Sequence, residues 1–124
     1  MKILIRELIQ AKPSLIKVLS ADLPVKVSYR LSKGIKALNR ELEDYEEKRV
    51  AILKKYSTEK EGQWEVDKDK LPDFTKEMTE LMNIEIDINA EPVNLSLIQE
   101  IKVSALDLEN LAKFINDDLK DEII

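Results

Sequence analysis

The chain has 124 residues, of which 44% are apolar and 36% are charged, and its net charge is −5. This length predicts one domain that spans residues 1–124 and is large enough to bury a hydrophobic core. Glycine (2) and proline (4) are scarce, which argues against a β-sandwich with many tight turns and favours long helices. The acidic balance argues against nucleic acid as a partner, because nucleic-acid-binding surfaces are usually basic.

The composition also limits the chemistry that the chain can perform. Histidine and cysteine are absent, so the commonest general base, the commonest transition-metal ligand and the thiolate ligands are all missing. The aspartates at positions 67, 69 and 73 do not form an EF-hand calcium loop. Counted from Asp67, that loop needs glycine at its sixth position and glutamate at its twelfth, where this chain has Pro72 and Met78. The sequence contains no glycine-rich phosphate loop and no serine nucleophile motif. We therefore expect no catalytic residues, no metal site and no cofactor.

The apolar segments are short. None approaches the roughly 20 residues that a membrane-spanning helix needs. Residues 1–6 lack the long apolar stretch and the small-residue cleavage site of a signal peptide. We therefore expect a cytoplasmic protein without a membrane partner.

Residues 1–22 predict short helices. Residues 2–5 are too short a stretch to assign to helix or strand. A helical pattern of apolar residues follows, but Pro13 interrupts it because proline lacks the N–H that a helix interior uses. Two short helices, or one kinked helix, are expected to end near Asp22.

Residues 24–57 predict one long helix, and Pro24 suits its first turn. Apolar and aromatic residues recur at alternating spacings of four and three, which defines a heptad seam that contains one charged residue, Arg49. The apolar and aromatic members of the seam are Leu31, Ile35, Leu38, Leu42, Tyr45, Ile52 and Tyr56. The helix would be about 50 Å long, whereas a compact domain of this size is about 35 Å across. We therefore expect the helix to extend beyond its own domain and a second copy to cover the seam, as a homodimer or a higher oligomer.

Residues 58–103 predict a turn, a helix and a strand. Gly62 suits the turn, and Pro72 suits the start of the helix. Ile84, Ile86 and Ile88 alternate with polar residues, as in a half-buried strand. Residues 93–103 fit a helix and a strand equally well.

The last part of the chain predicts a C-terminal helix over residues 104–116. Ser104 and Asp107 form a variant of the capping box that begins such a helix. Residues 117–124 form an acidic tail that is expected to fray. Taken together, the elements predict a mainly α fold with a small β element (α+β): one long central helix, short flanking helices, and one or two short strands.

The charges on the long helix are segregated. Its first half carries five basic residues with no acid among them: Lys26, Arg30, Lys33, Lys36 and Arg40. In the heptad numbering all five face away from the seam. This face is either a solvated surface or a docking surface for an anionic ligand or for the acidic block, residues 41–47, of another subunit. Antiparallel partners would bring basic halves against acidic halves, and each exposed pair would contribute only about 0–1 kcal/mol. Charge would therefore set the orientation, while the seam would supply the stability.

Four further residues allow two interpretations each. Glu43 and Glu47 are interpreted as part of a solvated helix surface rather than as a catalytic pair of carboxylates. Arg49 lies within the seam. It either snorkels to solvent or pairs with a neighbouring carboxylate, or else it sets the register or faces a ligand. Trp64 either clamps the turn onto the end of the long helix or is an exposed anchor for a partner protein.

Several segments carry a resemblance to a known family. Residues 23–31 open the long helix, which continues through residues 45–49 and 55–56. A Gly62-Gln63-Trp64 turn, the helix of residues 74–81, the Ile-Glu-Ile-Asp-Ile strand and the segment from residue 103 to 111 follow in order. Over nearly the whole chain, these features resemble a family of small uncharacterised proteins encoded by tailed phages and prophages, mostly of Gram-positive bacteria. The resemblance implies a phage origin and a site of action in the cytoplasm of the infected host bacterium, and it carries over no catalytic site.

Three hypotheses for function follow. The first is a phage assembly or accessory protein that is homo-oligomeric and binds another phage protein. The second is a counter-defence protein that binds a host immune protein or sequesters an anionic nucleotide signal through residues such as Lys26, Arg30 and Lys33. The third, an enzyme that uses carboxylates or lysine, is disfavoured by the missing residue types.

Overall fold

Four α-helices and six short strands make up the computed structural model, which describes residues 1–98 and 100–118. The helices are α1 (Ile5–Leu19), α2 (Val25–Lys55), α3 (Leu71–Met82) and α4 (Ala105–Asn110). The strands are β1 (Lys2–Leu4), β2 (Ser57–Lys60), β3 (Gln63–Val66), β4 (Glu85–Asp87), β5 (Val93–Asn94) and β6 (Ile115–Asn116). The predicted mainly α class with a small β element is confirmed, although the strands outnumber the one or two predicted.

The N-terminal segment forms a strand and then a single helix. β1 pairs antiparallel with β4, with Ile3 opposite Ile86, so residues 2–4 find their partner far along the chain. α1 contains Pro13 and ends at Leu19, so the structure has one helix where the sequence left open two short helices or one kinked helix. The buried face of α1 repeats every three or four residues, as an amphipathic helix requires. Its apolar members are Ile5, Leu8, Ala11, Leu15 and Val18.

The long helix α2 begins and ends within two residues of its predicted bounds, at a length of about 46 Å. Its first half packs against α1 and contributes Val27, Leu31 and Leu38 to the hydrophobic core. Ile35 and Leu42 are half-buried against the same core. The expectation that a second copy covers the seam is therefore wrong for its first half, because short elements of the same chain already cover it.

The second half of α2 belongs to a segment that has no core of its own. We use the term arm for residues 39–80, which comprise the second half of α2, the β2–β3 hairpin and most of α3; none of these residues is buried. α3 lies along α2, where Lys55 Nζ and Tyr56 Oη both donate to Glu77 Oε1, at 2.7 and 2.8 Å. Tyr45, Ile52 and Tyr56, the last three apolar or aromatic members of the predicted seam, stay partly exposed in this arm.

The predicted turn at Gly62 is the two-residue loop of the β2–β3 hairpin. Glu61 and Gly62 both have positive φ angles, 51° and 79°, as a type I′ turn requires. Glycine adopts this conformation without steric cost, whereas Glu61 does so as a residue with a Cβ atom. The hairpin positions Trp64 beside the last turns of α2, with Lys54 Nζ 5.5 Å from the centre of its ring.

The C-terminal part differs from its prediction in length. The capping box is present, with the Asp107 N–H donating to Ser104 Oγ at 3.0 Å, but α4 ends at Asn110 rather than at residue 116. A 3₁₀ turn and β6 follow, and β6 pairs in parallel with β5. Leu111 and Phe114 are both buried in the core. Leu111 and Phe114 are three residues apart, so the 3₁₀ turn projects both from the same side, towards the core.

Two remaining segments were ambiguous in the sequence. Within residues 93–98 and 100–103 the structure has β5 and a 3₁₀ turn, Leu95–Leu97, rather than a longer helix or strand. In the predicted tail, Asp118 accepts hydrogen bonds from both the backbone N–H, at 2.9 Å, and the hydroxyl of Ser96. The fraying predicted for the rest of the tail concerns residues 119–124, which lie outside the described residues.

Candidate functional site

The exposed face of α2 carries a second stripe with heptad spacing, on the side of the helix opposite Leu31 and Leu38. We use the term outer stripe for its members, which follow each other at alternating intervals of four and three residues: Tyr29, Lys33, Lys36, Arg40, Glu43, Glu47, Val50 and Lys54. All of them are exposed except Val50, which is half-buried. Because this side of the helix faces away from the core, it is free for contacts with other molecules.

The charges within the outer stripe are sorted rather than alternating. Lys36 and Arg40 are one helical turn apart, and so are Glu43 and Glu47. Like charges at this spacing destabilise a helix by about 0.2–0.5 kcal/mol per pair. None of these four residues forms an ion pair within residues 1–98 and 100–118. Among the described residues, these four charges therefore have no ion-pair partners that would balance them.

The five predicted basic residues are all exposed, and the structure places two of them at a pocket. Arg30 and Lys33 line a cavity of about 220 Å³ beside Tyr29 and the loop that contains Asn89 and Glu91. Lys33 Nζ lies 4.9 Å from the centre of the Tyr29 ring. The other three predicted residues, at positions 26, 36 and 40, do not line this cavity.

A larger groove lies between α1 and the middle of α2. It has a volume of about 510 Å³ and is lined by Ile9, Lys12, Asn39, Leu42, Glu43, Tyr45 and Glu46. A neighbouring concave surface of about 550 Å³ shares Glu43 and Glu46 with it and adds Glu47 and Val50. The acidic block of the sequence thus lines a concave surface, which the heptad pattern did not reveal because the residues of α1 come from elsewhere in the chain.

An apolar cavity of about 280 Å³ was also missed by the sequence. Its lining consists of Val18, Leu95, Ile98, Ile101, Val103, Leu108 and Leu111. These residues come from three separate segments, so no local pattern signalled their proximity. The cavity offers packing surface but no polar side chain to orient a ligand.

The two remaining candidates lie in the arm. Arg49 Nε donates to Glu46 Oε2 at 2.9 Å, so its guanidinium pairs with a carboxylate on its own helix. The hydrogen bonds from Arg49 lower the pKa of Glu46. Trp64 packs beside Lys54, yet 39% of its surface is exposed. Trp64 therefore contacts the end of α2 through Lys54 and also presents an aromatic surface to solvent.

Carboxylates with perturbed pKa values serve the fold. Asp107 accepts hydrogen bonds from Lys17 Nζ at 2.7 Å, from Ser14 Oγ at 2.8 Å and from the Ser104 N–H at 3.0 Å. These partners, Lys17 foremost, hold the pKa of Asp107 well below its ordinary value. The hydrogen bonds from Lys55 and Tyr56 likewise lower the pKa of Glu77. A general acid needs a raised pKa, so these groups are suited to binding α1 to α4 and α2 to α3.

We predict that Asp107 makes the stability of the protein depend on acid pH. Its pKa in the folded chain lies below the unfolded value of 3.8, so the unfolded chain takes up the proton first as the pH falls. The stabilisation is complete above that value and is lost progressively at lower pH. Urea unfolding at several pH values should show Asp107→Asn less stable than the wild type near neutral pH, with the difference shrinking towards about pH 2.

Asp22→Asn provides the matched control, because Asp22 is exposed and makes no ion pair within the described part of the chain. This variant should follow the wild-type dependence on pH. A constant difference between Asp107→Asn and the wild type at every pH would contradict the prediction.

Comparison with known proteins identifies no related protein. The chain matches no family model, no curated protein and no solved structure. Among the described helices, none is both long enough and apolar enough to cross a membrane. Within the same residues, no group of three or more acidic side chains could hold a metal ion. The surfaces of α2 and of the arm are thus the features on which a functional proposal can rest.

Proposed function

We propose that this protein acts by binding rather than by catalysis, and that it is a homo-oligomeric assembly or accessory protein of a tailed phage. The observation that carries the proposal is the arm, residues 39–80, which folds without a single buried side chain. A segment of this size normally contributes to a core. An arm that adds only the half-buried Leu42 to the core is suited to contact with another protein.

The apolar side chains of the arm supply the energy for such a contact. Tyr45, Ile52, Phe74 and Met78 are all half-buried, so each retains apolar surface that a partner could cover. Fully burying a large apolar side chain contributes about 1.5–3 kcal/mol relative to full exposure. Aromatic residues and methionine are enriched at protein interfaces, which agrees with the composition of this surface. The arm therefore has the chemistry of a binding surface for a second protein.

The phage context rests on the family resemblance of the long helix, the Gly-Gln-Trp turn and the Ile-Glu-Ile-Asp-Ile strand. This resemblance supports a site of action in the cytoplasm of an infected bacterium, where assembly proteins meet their partners. Self-association of the chain would present two or more arms at once, and linked binding sites raise the overall affinity for a multivalent partner.

The first test of the proposal is the mass of the protein in solution. Light scattering over a range of concentrations should give a multiple of the 14.3 kDa chain mass. A mass equal to one chain even at high concentration would overturn the homo-oligomeric part of the proposal.

The second test addresses the arm. Tagged wild-type protein should retain a phage-encoded protein from infected cells, and Ile52→Asp should lose it because a charge then occupies the half-buried position. Leu106→Asp is the matched control, since Leu106 is 64% exposed on α4, outside the arm. Recovery of host proteins alone would contradict a role in phage assembly.

A counter-defence role is the second candidate, and the cavity beside Tyr29 favours it. The cavity has a volume of about 220 Å³, and its lining includes hydrogen-bond donors from Arg30, Lys33 and Asn89. This size and these donors suit part of an anionic nucleotide. Glu91 lies in the same lining and opposes an anion, so this candidate ranks second.

A thermal-shift screen against cyclic nucleotides and ADP-ribose derivatives tests this second candidate. A ligand at 100 times its dissociation constant adds about 2.7 kcal/mol of stability, which is readily detected. Combined replacement of Arg30 and Lys33 by alanine should abolish the shift, whereas Lys26→Ala should keep it because Lys26 lies outside the cavity lining. The absence of a shift with every compound would exclude the nucleotide version.

A further inference from the structure

We propose that the outer stripe of α2 is a two-fold self-association surface on which a second copy of the chain lies antiparallel. In this register Lys36 of each copy faces Glu47 of the other, and Arg40 of each faces Glu43 of the other. The inference rests on the proposed homo-oligomer and specifies the surface that forms it. It leaves Tyr45, Ile52, Phe74 and Met78 of the arm free for a different protein.

The sequence of charges along the outer stripe is self-complementary. The pairs Lys36–Glu47 and Arg40–Glu43 have the same midpoint on the helix, between Glu41 and Leu42. In a two-fold interface, when residue i of one copy contacts residue j of the other, residue j also contacts residue i. A single two-fold axis at this midpoint therefore satisfies all four charges of both copies at once.

The same charges disfavour a parallel arrangement in register. Two parallel helices in register would place Lys36 beside Lys36 and Glu47 beside Glu47, and like charges opposite each other disfavour association. The i,i+4 repulsion within each helix, between Lys36 and Arg40 and between Glu43 and Glu47, would also remain. An antiparallel second copy supplies each of these residues with an opposite charge.

Apolar groups at both ends of the outer stripe complete the complementarity. Exposed ion pairs contribute little individually, so the charges fix the orientation and apolar contact must supply affinity. Val25 and Tyr29, at the start of α2, are 85% and 61% exposed. Val50 and Trp64 lie near its other end, and Trp64 is 39% exposed. Antiparallel packing brings the exposed residues at one end of each copy towards those at the opposite end of its partner.

A charge-reversal experiment tests the register. The first variant, Lys36→Glu with Arg40→Glu, makes the four charged central positions of the outer stripe acidic. The second variant, Glu43→Lys with Glu47→Lys, makes the same four positions basic. Each variant alone should self-associate at least about tenfold more weakly than the wild type, because like charges then face each other. An equimolar mixture should form a heterodimer with a Kd close to the wild-type value.

The control is Arg6→Glu with Lys102→Glu, which makes the same charge change at two exposed residues outside α2. This variant should self-associate like the wild type. Sedimentation velocity measures the mass and Kd of each sample, and far-UV circular dichroism confirms that each variant is folded.

The outcomes separate the two levels of the proposal. A wild type that associates, together with charge variants that associate equally well, would overturn the antiparallel register and leave the homo-oligomer intact. A mixture of the two variants that stays monomeric while the wild type dimerises would also overturn the register. A wild type that is monomeric at every concentration would overturn both the register and the homo-oligomer.

Discussion

Replacing Leu38 by alanine is expected to lower the free energy of unfolding by about 2–5 kcal/mol. Leu38 has no exposed surface, and its side chain packs in the core that the first half of α2 forms with α1. The substitution removes buried methyl groups and leaves a cavity that the surrounding side chains fill only in part. The expected loss is a large share of the roughly 5–15 kcal/mol that stabilise a typical domain.

Urea unfolding followed by far-UV circular dichroism measures this effect. Leu106→Ala is the matched control, since the same side chain is 64% exposed at position 106 and should cost little. The loss at Leu38 should also be independent of protein concentration, because the side chain is buried within one chain. An effect that grows on dilution would instead place Leu38 at an interface between copies.

Replacing Phe114 by alanine should cost about 3–5 kcal/mol. Phe114 is 3% exposed and is the one aromatic residue among the buried core side chains of the described part. It lies at the end of the 3₁₀ turn after α4, just before β6. Its loss therefore leaves a large cavity and also loosens the turn that directs the chain into β6.

Phe74→Ala is the control for this second experiment, and unfolding by urea is again the measurement. Phe74 lies in the arm and is half-buried, so its removal should cost clearly less than that of Phe114. Should Phe114→Ala fail to fold, Phe114→Leu keeps most of the volume and is expected to lose less than about 1.5 kcal/mol. Equal losses in the free energy of unfolding at positions 74 and 114 would contradict the prediction that burial determines the cost.

Local signals in the sequence predicted the elements well. The heptad spacing and Pro24 gave the bounds of α2 to within two residues, the Ser104–Asp107 pair gave the start of α4, and Gly62 gave the hairpin turn. Each of these signals depends on residues that are neighbours in the chain. The strand pairing of residues 2–4 with residues 85–87 could not be predicted in this way, because no local pattern in either segment identifies the distant strand with which it pairs.

The heptad seam shows why the functional surface was harder to predict. An apolar stripe at this spacing indicates that another element packs against it. The pattern does not distinguish α1 of the same chain from a second copy as that element. Leu31 and Leu38 turned out to be covered internally, while Tyr45 and Ile52 remain partly exposed. The cavity beside Arg30 and Lys33 also escaped prediction, since the loop at Asn89 completes it.

The absence of buried side chains in the arm has a consequence for motion. Local opening requires little free energy where few apolar contacts must be broken, so residues 39–80 should open without disturbing the rest. Within the continuous helix α2, amide hydrogens beyond Leu38 should then exchange with solvent faster than those before it. A partner that covers the arm would slow this exchange in the second half of α2 only. Amide exchange rates measured along this one helix would therefore locate the binding site.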